Sequence, residues 1–268
     1  MSMAAKIVRH ARSGDLRVVA SARIRARRHL RNPMPGGGGH SARRINRLLD
    51  GLPGAERYLE IGLELGYTFE NVRAPIRWGV DPYPRFNVRR LPPGAHVAVT
   101  TSDEFFKSIA PCESFDVVFL DGLHTFRQTY RDLVSAFRVC PRGVILIDDV
   151  VPSDEVSAMP NHEESLHARS RLGLESNRYV WHGDVFRAIL CVEAHHPELS
   201  FRTIVGMDNP QALVWRNDPG AVVTSVGEAV LDTMEADSFS DVFGRGIPDS
   251  FFPRAESEAI EEWMSARP

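Results

Sequence analysis

The chain is 268 residues long, 43% apolar and 25% charged, with a formal net charge of −3. That length suits one sizeable α/β domain with additions, and the composition is ordinary for a soluble globular protein. No stretch reaches the ~20 continuous apolar residues of a membrane span, and Cys112, Cys140 and Cys191 are too few and too scattered for a disulfide framework or a cysteine zinc site.

Residues 1–47 carry twelve Lys/Arg against one acid, Asp15, while the remainder carries twenty against 34 acids. The cluster Arg23, Arg25, Arg27, Arg28 and Arg31 is dense enough to suit nucleic acid or an anionic membrane. The segment has no aromatic residue for base stacking. The favoured reading is therefore a solvated helix that docks on the acidic body or on a second subunit. Nucleic acid is not expected as a partner, and a homodimer is. Pro35 and the four glycines that follow end this arm (residues 1–40) as a hinge. The start of the chain lacks the apolar core of a secretory signal, and with free thiols this gives a cytoplasmic expectation.

Residues 41–52 read as a helix with Ile45, Leu48 and Leu49 on one side. Strands are expected at 57–61, 77–80, 96–100, 115–120 and 143–147, with helices between most of them. The helix at 125–139 shows Phe126, Tyr130, Leu133, Val134 and Phe137 at helical spacing. Residues 151–180 are polar, without a strand signal, and long for a connection, which suits a lid or substrate loop. A helix at 185–192 and strands at 201–205 and 212–215 follow. Asp208-Asn-Pro turns between the last two and makes an antiparallel hairpin at the sheet edge. The expected fold is α/β, Rossmann-like and doubly wound: a mostly parallel seven-stranded sheet with an antiparallel edge strand, an N-terminal helical arm and an inserted lid. The main body spans 41–225, and 226–268 is an acidic, partly helical extension.

Two short apolar runs end in acid. They are Phe115-Asp-Val-Val-Phe-Leu-Asp-Gly-Leu-His124 and Gly143-Val-Ile-Leu-Ile-Asp-Asp-Val150. Continuous apolar runs of this length read as interior parallel strands, whose carboxyl ends gather ligands. Asp121, His124, Asp148 and Asp149 therefore meet at one sheet edge. Each alone is more often a cap or a turn former; four together at adjacent strand ends suggest a divalent metal beside a base. A second constellation follows the first strand, at Glu60-Ile-Gly62-Leu-Glu-Leu-Gly66-Tyr67-Thr68. The spacing is GxxxG, not the GxGxxG of dinucleotide sites, so NAD and FAD are disfavoured. Asp81, at the end of the second strand, is placed to accept from both ribose hydroxyls. Ser102 and Asp103, after the third strand, could reach an adenine edge.

These motifs together resemble the class I S-adenosylmethionine-dependent methyltransferases over roughly residues 55–215. Within that class the chain is similar to the metal-dependent sugar O-methyltransferases of actinobacterial macrolide pathways, and to those of mycobacterial methylmannose polysaccharide synthesis. The glycine loop departs from the family in its bulky Leu63, Glu64 and Leu65, and the basic arm matches nothing general in it. The resemblance implies S-adenosylmethionine at Glu60, Gly62, Gly66, Tyr67, Thr68, Asp81, Ser102, Asp103 and Asp121. It also implies Mg2+, or another divalent cation, at Asp121, Asp148 and Asp149, with His124 as base. The chemistry is coherent: a divalent cation chelates neighbouring hydroxyls and lowers the pKa of the one that reacts, and hard oxygen ligands suit Mg2+. A histidine is well matched to take the proton at neutral pH.

The expected activity is O-methylation of a hydroxyl on a sugar, either a small molecule or an oligosaccharide. Two other readings stay open. One is a catechol-type phenol acceptor, against which the insertion shows no aromatic-rich gate. The other is a non-catalytic protein that binds nucleic acid through the basic arm. His162, His167, Glu163 and Glu164 in the insertion, and Asp184 after Trp181, are further candidates for the acceptor side; Asp184 reads equally well as a helix cap.

Overall fold

The computed structural model describes residues 39–174, 181–204 and 210–267. Most of the basic arm (1–38), part of the expected lid (175–180) and the Asp208-Asn turn lie outside the described residues. The elements in order are α1 (His40–Asp50), β1 (Arg57–Ile61), α2 (Tyr67–Asn71), β2 (Ile76–Val80), β3 (Ala95–Ala98), α3 (Ser102–Ser108), β4 (Val117–Leu120) and α4 (Phe126–Val139). They continue with β5 (Val144–Ile147), α5 (His162–Arg171), α6 (Phe186–His195), β6 (Leu199–Ile204), β7 (Gln211–Arg216), α7 (Glu228–Ala236), α8 (Phe239–Phe243) and α9 (Glu256–Ser265). Among the described residues no helix is long and apolar enough to cross a membrane.

Seven strands form one sheet in the order β3-β2-β1-β4-β5-β7-β6. Strands β1 to β5 pair in parallel. The reversed strand is β7, which runs antiparallel to both β5 and β6, so β6 at the edge points the same way as β5. This is the doubly wound architecture expected from the alternation of strand and helix. The winding direction reverses between β1 and β4. At such a switch point the loops leaving the two strands diverge and open a crevice at their carboxyl ends.

Side-chain parity builds two cores. Val118 and Leu120 of β4, with Ile145 and Ile147 of β5, face a layer containing Phe126, Tyr130 and Phe137 of α4 and Ile189 of α6. Their neighbours Val117, Phe119, Val144 and Leu146 face Ile45 and Leu48 of α1 and Trp263 of α9. All eight positions of β4 and β5 are buried, as befits strands covered on both faces. The helical spacing read for α4 is met by burial of Phe126, Tyr130, Leu133, Val134 and Phe137.

The segment after residue 226 closes both faces. Leu231, Phe243 and Phe251 join the first core, and Ala259 and Trp263 join the second. Charge directs the docking of α9: Arg44 Nε lies 3.0 Å and Arg47 Nη1 2.7 Å from the Glu256 carboxylate. Two arginines of the basic stretch that extends through residue 47 thus meet the acidic C-terminal segment of the same chain.

Trp263 is 1% exposed, so Trp263→Ala should cost about 3–5 kcal/mol of folding stability through lost burial and the cavity left behind. Urea denaturation of the two proteins measures the difference. A change under 1 kcal/mol would show that α9 lies outside the cooperative core.

Candidate active site

The crevice between the β1 and β4 loops is a cavity of about 650 Å3. Glu60, Gly62, Tyr67, Thr68, Asp81, Ser102, Asp121 and His124 all border it, so both constellations read from the sequence open onto one space. Gly66, Asp103, Asp148 and Asp149 do not border it. Asp103 lies on the surface, 3.4 Å from Arg131, and accepts from Gln128 Nε2 at 3.2 Å. Gln128 and Asp132 border the cavity on that side instead. Asp132 is buried, which pushes its carboxyl up to about 6.

The glycine turn owes its shape to the protein's own packing. Gly62 and Gly66 have φ of +89° and +75°. A Cβ on Gly62 would lie 1.9 Å from the Asp121 carbonyl oxygen, and one on Gly66 would lie 2.8 Å from the Phe86 ring. Gly62 therefore lets the β1 and β4 loops touch, which brings the two halves of the cavity together. The bulky residues of the loop are accommodated separately. Leu63 is buried in the second core, and Glu64, at φ +41°, turns outward to pair with Arg85 at 3.2 Å. Asp81 holds this turn: its Oδ2 accepts from the Leu63 and Glu64 amides at 2.9 and 3.0 Å, and its Oδ1 from the Tyr83 amide at 2.6 Å. Each oxygen keeps lone-pair capacity for a ligand hydroxyl.

Glu60 is 2% exposed and accepts from the Tyr58 hydroxyl at 2.7 Å. Burial, reinforced by the nearby Asp121, raises its pKa well above the ordinary carboxylate range. The cavity wall holds five carboxylates (Glu60, Glu64, Asp81, Asp121, Asp132) and one guanidinium, that of Arg85. Such a wall repels a pyrophosphate and suits a ligand that carries positive charge.

At the β4 and β5 ends, Asp121, His124 and Asp149 each direct a ligand atom to within 4.8 Å of the others. His124 Nε2 lies 3.3 Å from Asp121 Oδ1, and Nδ1 lies 2.6 Å from Asp149 Oδ2. Nδ1 and the Asp149 Oδ1 are buried and, among the described residues, lack a partner in hydrogen-bond geometry. Converging lone pairs that fail to bond one another are the donor set a cation needs. Asp148 is placed differently: its Oδ1 accepts from Gln211 Nε2 at 3.1 Å and from the Asp149 amide at 3.0 Å. It borders a void of about 10 Å3 together with Asp121, His124 and Thr129, room for about one water-sized occupant. The three acids and the histidine are thus neighbours, but the tightest group substitutes a histidine nitrogen for the Asp148 oxygen.

The charges are strained by burial. Desolvation raises Asp121, and raises Asp148 well above the usual range with help from Asp149 and Asp121. Burial works against a charged His124, but the facing Asp121 and Asp149 carboxylates outweigh it and lift its pKa well above 6.5. His124 and Asp149 both sit at positive φ, +56° and +60°, which is uncommon for residues with a Cβ and clusters at functional sites.

Sequence reasoning missed an aromatic wall. Trp181 borders the cavity, with its ring stacked on His124 at 5.2 Å and on His162 at 4.7 Å between centroids. His162, the first residue of α5, also borders the cavity. Asp184 is a helix cap in trans: its Oδ1 accepts from the Phe126 amide, the first of α4, at 2.7 Å. A lone tryptophan beyond a polar insertion carries no periodicity to flag it, so only the fold could show this contact.

Residues 39–150 match the family model described as a methyltransferase domain. That stretch runs from α1 through the Asp148-Asp149 pair. A comparison with curated proteins finds no match. Among solved structures, the chain is similar to cofactor-bound Rv0187 from MTB, at 19% identity over 80% of this chain and 95% of that one, with a TM-score of 0.49. It is similar to a putative O-methyltransferase from Klebsiella pneumoniae at 17% identity, 80% and 96% coverage, and a TM-score of 0.47. The MycE methyltransferase of the mycinamycin biosynthetic pathway, in complex with Mg and SAH, gives 17%, 69% and 51%, and 0.42. All three TM-scores fall below 0.5, and these likenesses carry no argument about chemistry.

A buried carboxyl whose folded pKa lies above its unfolded value loses stability as pH rises between the two. Asp148 is such a group, so Asp148→Asn, which keeps an acceptor for Gln211 and the Asp149 amide, should stabilise the metal-free protein at pH 7.5. The expected gain is about 1 kcal/mol, or roughly 2–4 °C in Tm, shrinking toward pH 4. Thermal melts in EDTA across that range check both the sign and the slope.

Proposed function

We infer that this methyltransferase domain transfers the methyl group of S-adenosylmethionine to a hydroxyl oxygen, with a divalent cation at the β4 and β5 ends, and that the acceptor is a sugar or saccharide. The observation that carries the reading is the single cavity bordered by the Asp81-braced turn and by Asp121 and His124, with Asp149 directly behind the His124 ring. A sulfonium cofactor presents positive charge to the acidic wall, with Glu60, Tyr67, Thr68, Asp81 and Ser102 as its contacts. Gly66 and Asp103, off the cavity wall, act by shaping the turn and the rim.

The acceptor side is assigned to Asp121, Asp148, Asp149 and His124. Bound there, a divalent cation would chelate neighbouring hydroxyls and acidify the one that reacts. Asp121 and Asp149 supply the nearest oxygens, and Asp148 borders the small void beside Asp121 and His124. His124 holds its proton firmly while it faces two uncompensated carboxylates. Drawing their charge elsewhere weakens that hold and frees the imidazole to accept the hydroxyl proton. Placing the oxygen in line behind the methyl carbon supplies much of the rate.

The Trp181 ring supports a second reading, a catechol-type phenol acceptor, because an aromatic wall suits a flat ring. One acceptor screen with labelled methyl donor, covering sugars and catechols with and without Mg2+, separates the two. The basic arm that motivates a nucleic-acid role lies outside the described residues.

Calorimetric titration should detect S-adenosylhomocysteine; no binding at millimolar ligand overturns the cofactor assignment. Asp149→Ala should lower metal-stimulated turnover by at least about a hundredfold, and EDTA should do the same to the wild type. His124→Ala should lose turnover while cofactor binding survives. The base form of His124 exists only above its raised pKa, so the rate should climb with pH through a midpoint above 6.5. A flat profile between pH 6 and 9 would remove His124 from that role.

A further inference from the structure

We propose that the turn Trp181-His182-Gly183-Asp184 is a positioning element for His124, a clamp that holds the imidazole at its left-handed backbone position. The inference rests on the assignment of His124 as base. Two contacts converge on that residue from one short turn, and a third fixes the chain just beyond it. The Trp181 ring lies 5.2 Å from the His124 ring at an interplanar angle of 29°. Gly183, at φ +65°, leaves space into which the His124 carbonyl fits; a Cβ there would lie 1.7 Å from that oxygen. Asp184 fixes the next turn of chain through the Phe126 amide. Thr125, the residue at the N-cap position of α4, makes no side-chain cap bond of its own.

The turn is itself anchored. Trp181 Nε1 donates to the Met159 carbonyl at 2.6 Å, and the His182 and Gly183 amides donate to the Ser157 carbonyl at 3.0 and 2.9 Å. Ser157 is held by Asp154, whose carboxylate accepts from the buried Arg169 of α5 at 2.9 and 3.0 Å. The insertion after β5 thereby reaches the base through a continuous set of bonds. A non-glycine residue at positive φ is held there only when its surroundings over-determine it. A ring stacked on one face of a reacting group and itself backed by His162 keeps that group within the narrow geometry that transfer requires.

The test compares Trp181→Phe, which keeps an aromatic face, with Trp181→Leu, which keeps bulk and loses the stack, and adds Gly183→Ala. Two readouts are used: kcat and KM with an acceptor found in the screen, and the His124 ring resonance of histidine-labelled protein, identified with His124→Asn. Trp181→Leu should lower kcat about tenfold to a hundredfold, in line with supporting-shell losses, and leave S-adenosylhomocysteine affinity within twofold. The ring-current displacement of the His124 signal should vanish in Trp181→Leu and persist in Trp181→Phe, with kcat of the latter recovered to within about threefold of wild type. Gly183→Ala should lower kcat in the same manner as Trp181→Leu. Wild-type kcat in Trp181→Leu, or an unmoved His124 signal, overturns the proposal. A wild-type protein that binds no S-adenosylhomocysteine fails the functional reading instead, while the resonance comparison still judges the clamp.

Discussion

Four carboxylates, those of Glu60, Asp121, Asp148 and Asp149, are drawn wholly or partly out of water at the ends of three adjacent strands. Two like charges 4 Å apart repel by about 1 kcal/mol in water and about 4 kcal/mol near a protein surface. Burial adds a desolvation cost to each. No arrangement of apolar residues demands this, and the surrounding structure is organised around it. Glu60 is met by the Tyr58 hydroxyl, Asp148 by an amide side chain and a backbone N–H, and Asp121 and Asp149 share one imidazole. The imidazole answers two carboxylates at once, so the site is left short of positive charge. The proposed cation would supply what is missing.

Strain and close approach follow from the same crowding. Bringing the β1 loop against the β4 loop leaves no room for a Cβ at Gly62. The chain leaving β4 must then turn so that Asp121 and His124 face one point, and the chain leaving β5 must turn to present Asp149 beside them. Both turns place a residue with a Cβ at positive φ. A backbone cost of order 1–3 kcal/mol at each such position is tolerated where neighbours enforce it. The enforcement here comes from far along the chain, through Gly183 packed on the His124 carbonyl and Asp184 on the Phe126 amide.

What the sequence disclosed follows from this division. Strands β4 and β5 were legible because both their faces are buried, and a strand buried on both faces writes itself as an uninterrupted apolar run. The acids beyond them were legible because a polar residue at the end of such a run has few structural reasons to be there in company. The glycines were legible as positions but not in purpose: their spacing marks a close approach without saying whether ligand or protein approaches. The stack of Trp181 on His124, and Gln211 and Arg44 as partners of the site, were illegible. Their contacts join residues 57 to 167 positions apart in sequence, and contacts at that separation leave no local pattern. The substitution of His124 for Asp148 in the tightest group was hidden for a related reason, because it depends on which way each side chain leaves a strained turn.

The path from α9 to Asp148 shows how distant residues still act with chemical direction. Arginine has donors only, so the buried Arg44, bonded to Gln211 Oε1, fixes which end of that amide faces it. The Gln211 NH2 group must then point the other way, where it donates to Ser41 Oγ at 2.8 Å and to Asp148 Oδ1 at 3.1 Å. Glu256 of α9 holds Arg44 in turn. A positive charge too far back to touch the site is thus converted into an oriented donor at its edge, and that donor favours the ionised form of Asp148 against the burial that opposes it. An apolar residue at position 44 would free the Gln211 amide to flip and present its oxygen to the carboxylate. The buried arginine therefore contributes to the orientation of the site more than to the stability of the fold, where a buried ion pair of this kind gains little.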